Sequence, residues 1–111
     1  MAEKLIIREQ TINQGDPGYC WLNIELGGIR VGKARVKKTH SRVIIKNINI
    51  FPEFERRGFA RQTVMLFTQT GKEIIADRVR NTARGFWEHM GFSDTGDGNY
   101  RWFYKRRRID L

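Results

Sequence analysis

The sequence predicts an α+β fold, with one sheet of six to seven strands carrying two main helices. Three observations predict it. Alternating apolar residues mark strands through the first half of the chain, the apolar period lengthens to three or four residues after Pro52, and Gly71 and Gly91 stand where each helical stretch ends. At 111 residues the chain has room for one hydrophobic core, so residues 1–111 are expected to form one domain with a basic tail at 105–111.

Residues 4–11 and 19–26 read as strands around the turn-rich stretch Asn13, Gln14, Gly15, Asp16, Pro17, Gly18. In the second strand Cys20, Leu22, Ile24 and Leu26 share one face, and Tyr19, Trp21, Asn23 and Glu25 the other, a half-buried antiparallel pattern. Gly27 and Gly28 turn the chain into residues 29–38, where the apolar parity switches from Ile29 and Val31 to Ala34 and Val36 around Gly32, the mark of a bulge. After Thr39, His40 and Ser41, the β-branched stretch 42–50 reads as a central strand ended by Pro52. A helix is predicted over 59–70, with Phe59, Thr63, Leu66 and Phe67 on one side. A strand follows at 72–79. A second helix at 82–90 turns Ala83, Phe86, Trp87 and Met90 inward, and a hairpin of 92–94 with 99–105 closes the order.

The 21 Lys plus Arg outnumber the 12 Asp plus Glu, a formal charge of +9, while 40% hydrophobic and 12% aromatic residues are too many for a disordered basic tail. No apolar run approaches the ~20 residues of a membrane span, and residues 1–10 lack a signal-peptide layout, so a soluble cytoplasmic protein without membrane partners is expected. Cys20, His40 and His89 have no neighbours at metal-ligand spacing, so no metal is expected. The charge is concentrated. No acid lies between Glu25 and Glu53, yet Arg30, Lys33, Arg35, Lys37, Lys38, Arg42 and Lys46 do, and Lys105, Arg106, Arg107 and Arg108 form a second cluster. Each such residue read alone is a solvated surface charge; as a set they suggest attraction to a polyanion.

The start of the first helix breaks ordinary helix design. Helix starts expose amide donors with partial positive charge, so Ser, Thr, Asp or Asn normally caps them and cations are disfavoured. No such cap lies between Phe54 and Gly58, and Arg56, Arg57 and Arg61 add positive charge. Two readings stand side by side. Uncapped amides, a small Gly58 and flanking guanidinium groups make a phosphate cradle; alternatively, Glu53 and Glu55 neutralise the arginines and the turn is merely charged. Neither a triphosphate loop ending nor a dinucleotide fingerprint is present.

The run Ile48 Asn49 Ile50 Phe51 Pro52 Glu53 Phe54 Glu55 Arg56 Arg57 Gly58 Phe59 Ala60 resembles the acetyl-CoA-binding motif of the GNAT superfamily of N-acetyltransferases, and Asn81, Ala83, Phe86, Trp87, Gly91 and Phe92 resemble that family's second helix motif. The resemblance covers residues 29–104. It implies a mixed, largely antiparallel sheet in which the strands at 42–50 and 72–79 splay apart. It also implies acetyl-CoA as acetyl donor, with the amides of Arg56, Arg57, Gly58, Phe59, Ala60 and Arg61 on its pyrophosphate and its pantetheine arm along Ile48 and Ile50. The Ile50 amide would act as oxyanion donor, Asn81 would bond the pantetheine, and Phe86 would pack beside it.

The chain departs from the family pattern in several places. Trp87 stands where the family commonly has a tyrosine acid, the central strand lacks the glutamate that many relatives use on the amine, and Glu55 replaces Arg or Gln. His40 lies too far from Ile50 along the strand, and His89 points to another helix face than Trp87, so both are expected at the surface. Tyr100 and Tyr104 are the remaining candidate acids, and Cys20 reads as a small core residue. About seven residues replace the one or two helices that most relatives carry between the first two strands, which predicts an open, shallow acceptor groove suited to a protein lysine or N-terminus. Three functions follow: an acetyltransferase, a GNAT-like CoA-binding module without turnover, and a nucleic-acid-binding protein using the basic hairpin and tail with Tyr19, Trp21, Tyr100 or Trp102 as stacking rings.

Overall fold

A computed structural model describes residues 4–10 and 18–103. Its strands are β1 (Leu5–Glu9), β2 (Cys20–Leu26), β3 (Ile29–Lys38), β4 (Arg42–Ile50), β5 (Glu73–Ala76), β6 (Ser93–Asp94) and β7 (Tyr100–Trp102), and its helices are α1 (Phe59–Thr68) and α2 (Arg84–His89). They form one seven-stranded sheet in the order β1-β2-β3-β4-β5-β7-β6, antiparallel except where β4 meets β5. The predicted α+β class and element order hold. The turn at 13–17, Tyr104 and the basic tail lie outside the described residues.

Local chemistry accounts for the joints. Gly27 and Gly28 both take positive φ, 58° and 80°, which a two-residue hairpin turn requires, and Leu26 pairs with Ile29 across it. The expected bulge is present: Ile24 pairs with Gly32 and Glu25 with Arg30, so Val31 is the extra residue. Gly32 has a further reason to lack a side chain, since a Cβ there would meet the Asn49 carbonyl oxygen of β4 at 2.5 Å. At the end of α2 the Phe92 amide donates to the Trp87 carbonyl and the Gly91 amide to Glu88, while the Phe92 ring lies edge-on to Trp87 at 4.9 Å. That is a Schellman stop with its apolar contact, so the Trp87, Gly91 and Phe92 pattern has a purely structural basis as well.

Several boundaries are shorter than predicted. α1 stops at Thr68 rather than residue 70, and Val64 rather than Leu66 is fully buried among its inward residues. β5 ends at Ala76 instead of running to 79, because Arg78 turns left-handed at φ 51°. The second helix begins as a tight turn over Asn81–Ala83 before α2 proper, and the last hairpin is brief.

The buried strand residues all lie on one face. Leu22, Ile24, Ala34, Val36, Val43, Ile45, Ile74, Ala76 and Tyr100 form the core with Phe59, Val64 and Phe67 of α1 and Trp87 of α2. The opposite face carries Trp21, Asn23, Lys33, Arg35, Lys37, Ile44 and Ile75, all only half-buried. Cys20, expected in the core, sits half-buried at its margin, where burial first and a hydrogen bond with Glu9 second push its thiol upward.

Candidate functional site

β4 and β5 are paired only from Arg42 opposite Glu73 to Ile45 opposite Ala76, and the last bond across them is the Asp77 amide on the Ile45 carbonyl at 2.8 Å. The cause of the parting lies in β4. Val36 pairs with Ile45 and Arg35 with Asn47, which leaves Lys46 as an extra residue. A bulge bends its strand and re-aims its groups. The reversal is visible in burial, which passes from Val43 and Ile45 to Ile48 and Ile50.

Hydrogen bonding reverses with it. The Phe51 amide donates to the Val31 carbonyl of β3. Because groups on a strand alternate between its two edges, those of Ile48 and Ile50 turn away from β3, toward the side where β5 has parted. The opened space is a cleft of about 730 Å³ lined by Ile45 to Asn49 on one wall, by Ala76 to Arg80 on the other, and by Ala60, Ala83, Phe86 and Trp87.

At one end of this cleft stands the start of α1. Gly58 is its cap residue, left-handed at φ 81° and ψ 13°, and no side chain caps the helix. Arg56 is also left-handed at φ 63°. The Gln62 amide makes the first helical bond, to Gly58, so the amides of residues 59–61 have no intrahelical acceptor. A Cβ on Gly58 would meet nothing within 4 Å, which means that the space before these donors is open. The Arg57 guanidinium lies over the Phe54 ring at 5.7 Å. Uncapped donors, open approach and local cations fit a diphosphate.

The predicted residues divide clearly. Ile48, Ala60 and Phe86 line the cleft, while Arg56, Arg57, Gly58, Phe59 and Arg61 form the helix start, Phe59 with only its backbone available because its ring is in the core. Ile50 lies one pleat beyond the lining residues, beside Gly32. Asn81 opens the turn before α2 and is exposed. Trp87 is buried between Phe86 and Phe92. His40 and His89 are exposed, as expected. Tyr100 is not available to the cleft: its hydroxyl accepts from Arg84 Nε and donates to Glu88 Oε2, both at 3.0 Å.

Sequence reasoning missed the second wall. Asp77 is the one acid lining the cleft among the described residues, and Arg78 and Arg80 follow it. Residues 77–79 read as plain strand, and nothing local signals that the Asn99 side chain accepts the Arg78 amide at 2.8 Å and holds the turn. Asp77 continues the alternation of β5, opposite in facing to Ile74 and Ala76, so its carboxylate belongs to the face that no described helix covers.

No family model matches the sequence, and no curated protein matches it either. Solved structures do. An acetyltransferase from Thermus thermophilus superposes with a TM-score of 0.63 at 21% identity over 78% of this chain and 65% of its own. The Bacillus subtilis N-acetyltransferase YlbP, solved in complex with coenzyme A, gives 0.62 at 17% over 75% and 66%. The chain thus spans just under two thirds of the length of each. The aminoglycoside N-acetyltransferase AAC(6')-Iy, in complex with CoA, gives 0.61 at 16% over 97% and 98%. The fold of this protein is that of the GNAT-family acetyltransferases.

Proposed function

We propose that this protein is an N-acetyltransferase that takes its acyl group from acetyl-CoA and delivers it to an amine on a large partner, a protein lysine or N-terminus. The observation that carries the reading is the coincidence of the Lys46 bulge, the β4–β5 opening and the uncapped Gly58 start of α1 around one cleft. Similar folds hold CoA in YlbP and in AAC(6')-Iy. Acetyl-CoA supplies a thioester-bound acetyl group. The amides of Arg56 to Arg61 hold its diphosphate, the free edge of Ile48 and Ile50 holds its amide arm, Phe86 and Asn81 flank that arm, and the Ile50 amide stands as the donor for charge on the carbonyl oxygen.

Asp77 supplies the base that β4 lacks. An amine attacks only when neutral, and a carboxylate on the cleft wall takes its proton, directly or through one water. Trp87 has no proton to give a departing thiolate. The guanidinium groups of Arg78 and Arg80 stabilise that charge electrostatically instead, and solvent protonates it. Glu55 next to the cradle weakens phosphate affinity.

The acceptor reading rests on openness. Glu9 pairs with Leu22 and the Gln10 amide reaches the Trp21 carbonyl, so β1 and β2 stay paired up to these residues and the stretch of sequence between them is short. The test is a thermal melt with CoA or acetyl-CoA at about a hundredfold excess over Kd, expected to raise Tm by several degrees, followed by thiol release with acetyl-CoA and amine-bearing peptides. No shift with either ligand overturns the proposal. A shift without thiol release identifies a CoA-binding module, and release with polyamines but not with proteins overturns the acceptor.

A further inference from the structure

The face of the sheet that no described helix covers carries, on β2 and β3, a composition that the acetyl-transfer reading does not use. Across β2, β3 and β4, Trp21 pairs with Arg35 and Arg35 with Asn47, and in the next row Asn23 pairs with Lys33 and Lys33 with Asn49. Cations lie against aromatic faces throughout. Lys33 Nζ is 4.8 Å from the Trp21 ring centre, the Arg35 guanidinium is 5.5 Å from Trp21 and 5.7 Å from Tyr19, and Lys46 Nζ is 4.9 Å from Tyr19. Gln10, Trp21, Asn23, Arg30 and Lys33 enclose a separate shallow depression of about 450 Å³, in which Gln10 Nε2 donates to Asn23 Oδ1 at 2.9 Å.

On β2, β3 and β4 this face carries one acid among the described residues, Glu25, while Glu73 and Asp77 lie on β5 and at its end. Glu25 pairs with Arg8 at 3.4 Å, and Glu73 with Arg42 and Arg101. The excess is therefore cationic, and it sits beside half-buried rings and side-chain amides. Each ingredient answers one part of a nucleotide: ammonium and guanidinium groups for phosphates, rings and guanidinium planes for base stacking, and Gln10, Asn23, Asn47 and Asn49 for base edges. An acidic peptide would use the cations and leave the rings and amides without a role. A sheet face with half-buried rings also suits splayed bases better than a duplex, whose bases are stacked away inside.

We infer that the outward face of β2, β3 and β4 binds single-stranded nucleic acid, with Trp21 and the depression beside it as a base site. The inference is independent of acetyl transfer. The probe is a short fluorescein-labelled single strand of mixed sequence, as DNA and as RNA, titrated by anisotropy against the full chain over a range of salt. The expected result is affinity for at least one of the two that falls with salt and exceeds affinity for the matching duplex. Lys33→Ala with Arg35→Ala makes the log–log salt slope shallower by about 1.4, from roughly 0.7 per lost phosphate contact. Trp21→Leu weakens binding about tenfold with the salt slope unchanged, and Asn49→Ala serves as a milder second probe. Unchanged melting of each variant establishes that it is folded, and a variant that melts early is replaced by Lys33→Gln alone. Binding of polyphosphate or polyglutamate as tightly as of the single strand overturns the inference, as does duplex preference or full affinity in the Lys33 and Arg35 variant, which would place binding elsewhere on the chain.

Discussion

The two halves of the β4–β5 pair are built from the same two strands and behave oppositely. Over Arg42–Ile45 and Glu73–Ala76 the strands are hydrogen-bonded in parallel, their inner side chains Val43, Ile45, Ile74 and Ala76 are buried, and Glu73 ties Arg42 to Arg101 across the outer face. Past Ile45 one extra residue, Lys46, turns β4 aside, and the same strands become the walls of a cleft. The candidate site thus arises where a ladder stops, and backbone groups released from pairing stand in it beside the side chains of Asp77, Arg78 and Arg80.

The largest effect is expected from the open half. Asp77→Asn keeps the shape of the wall and removes the proposed base, so turnover should fall by about 10² to 10⁴ while the CoA-induced shift in Tm persists; equal turnover in the variant removes Asp77 from the mechanism. Gly58→Val comes next. A branched side chain costs about 1–2 kcal/mol at this left-handed position and projects into the open space before the amides, so CoA should no longer raise Tm; calorimetry with retained CoA affinity would defeat the cradle.

Gly32→Ala probes the backing of the open half. Its methyl group would press on the Asn49 carbonyl, and overpacking of this kind costs about 1–3 kcal/mol, read as a lower Tm together with a weaker CoA response. The smallest effect belongs to the closed half. The hydrogen bond from Arg101, helped by the charges of Arg101 and Arg42 and opposed by burial, holds the Glu73 carboxyl below its ordinary value of 4.5. A carboxyl depressed on folding adds stability above its unfolded pKa and loses it as pH falls from there through the folded value. Melting curves taken downward from about pH 5 should therefore decline less steeply in Glu73→Gln than in the native chain.

Much of this was legible because it is local. The alternation in β2, the parity switch at Gly32, the Gly27–Gly28 turn and the uncapped Arg-rich start of α1 each follow from neighbours in the chain. The second wall was not legible. Arg78 is left-handed because Asn99, far along the sequence, accepts its amide, and Asp77 stands at the cleft wall because β5 ends just before it. Tyr100 was a candidate acid on its residue type alone; its bonds to Arg84 and Glu88 come from packing against α2.

By itself the sequence determined the α+β order of elements, the faces of the strands, the stop of the second helix at Gly91 and the absence of a cap at Gly58, since these depend on short-range periodicity and backbone preference. Only the tertiary structure decided where β4 and β5 part, that the Lys46 bulge turns the backbone groups of Ile48 and Ile50 toward the gap, and which acid stands at its wall. Register and bulge position are settled by contacts between strands distant in the chain, and no stretch of residues encodes them alone.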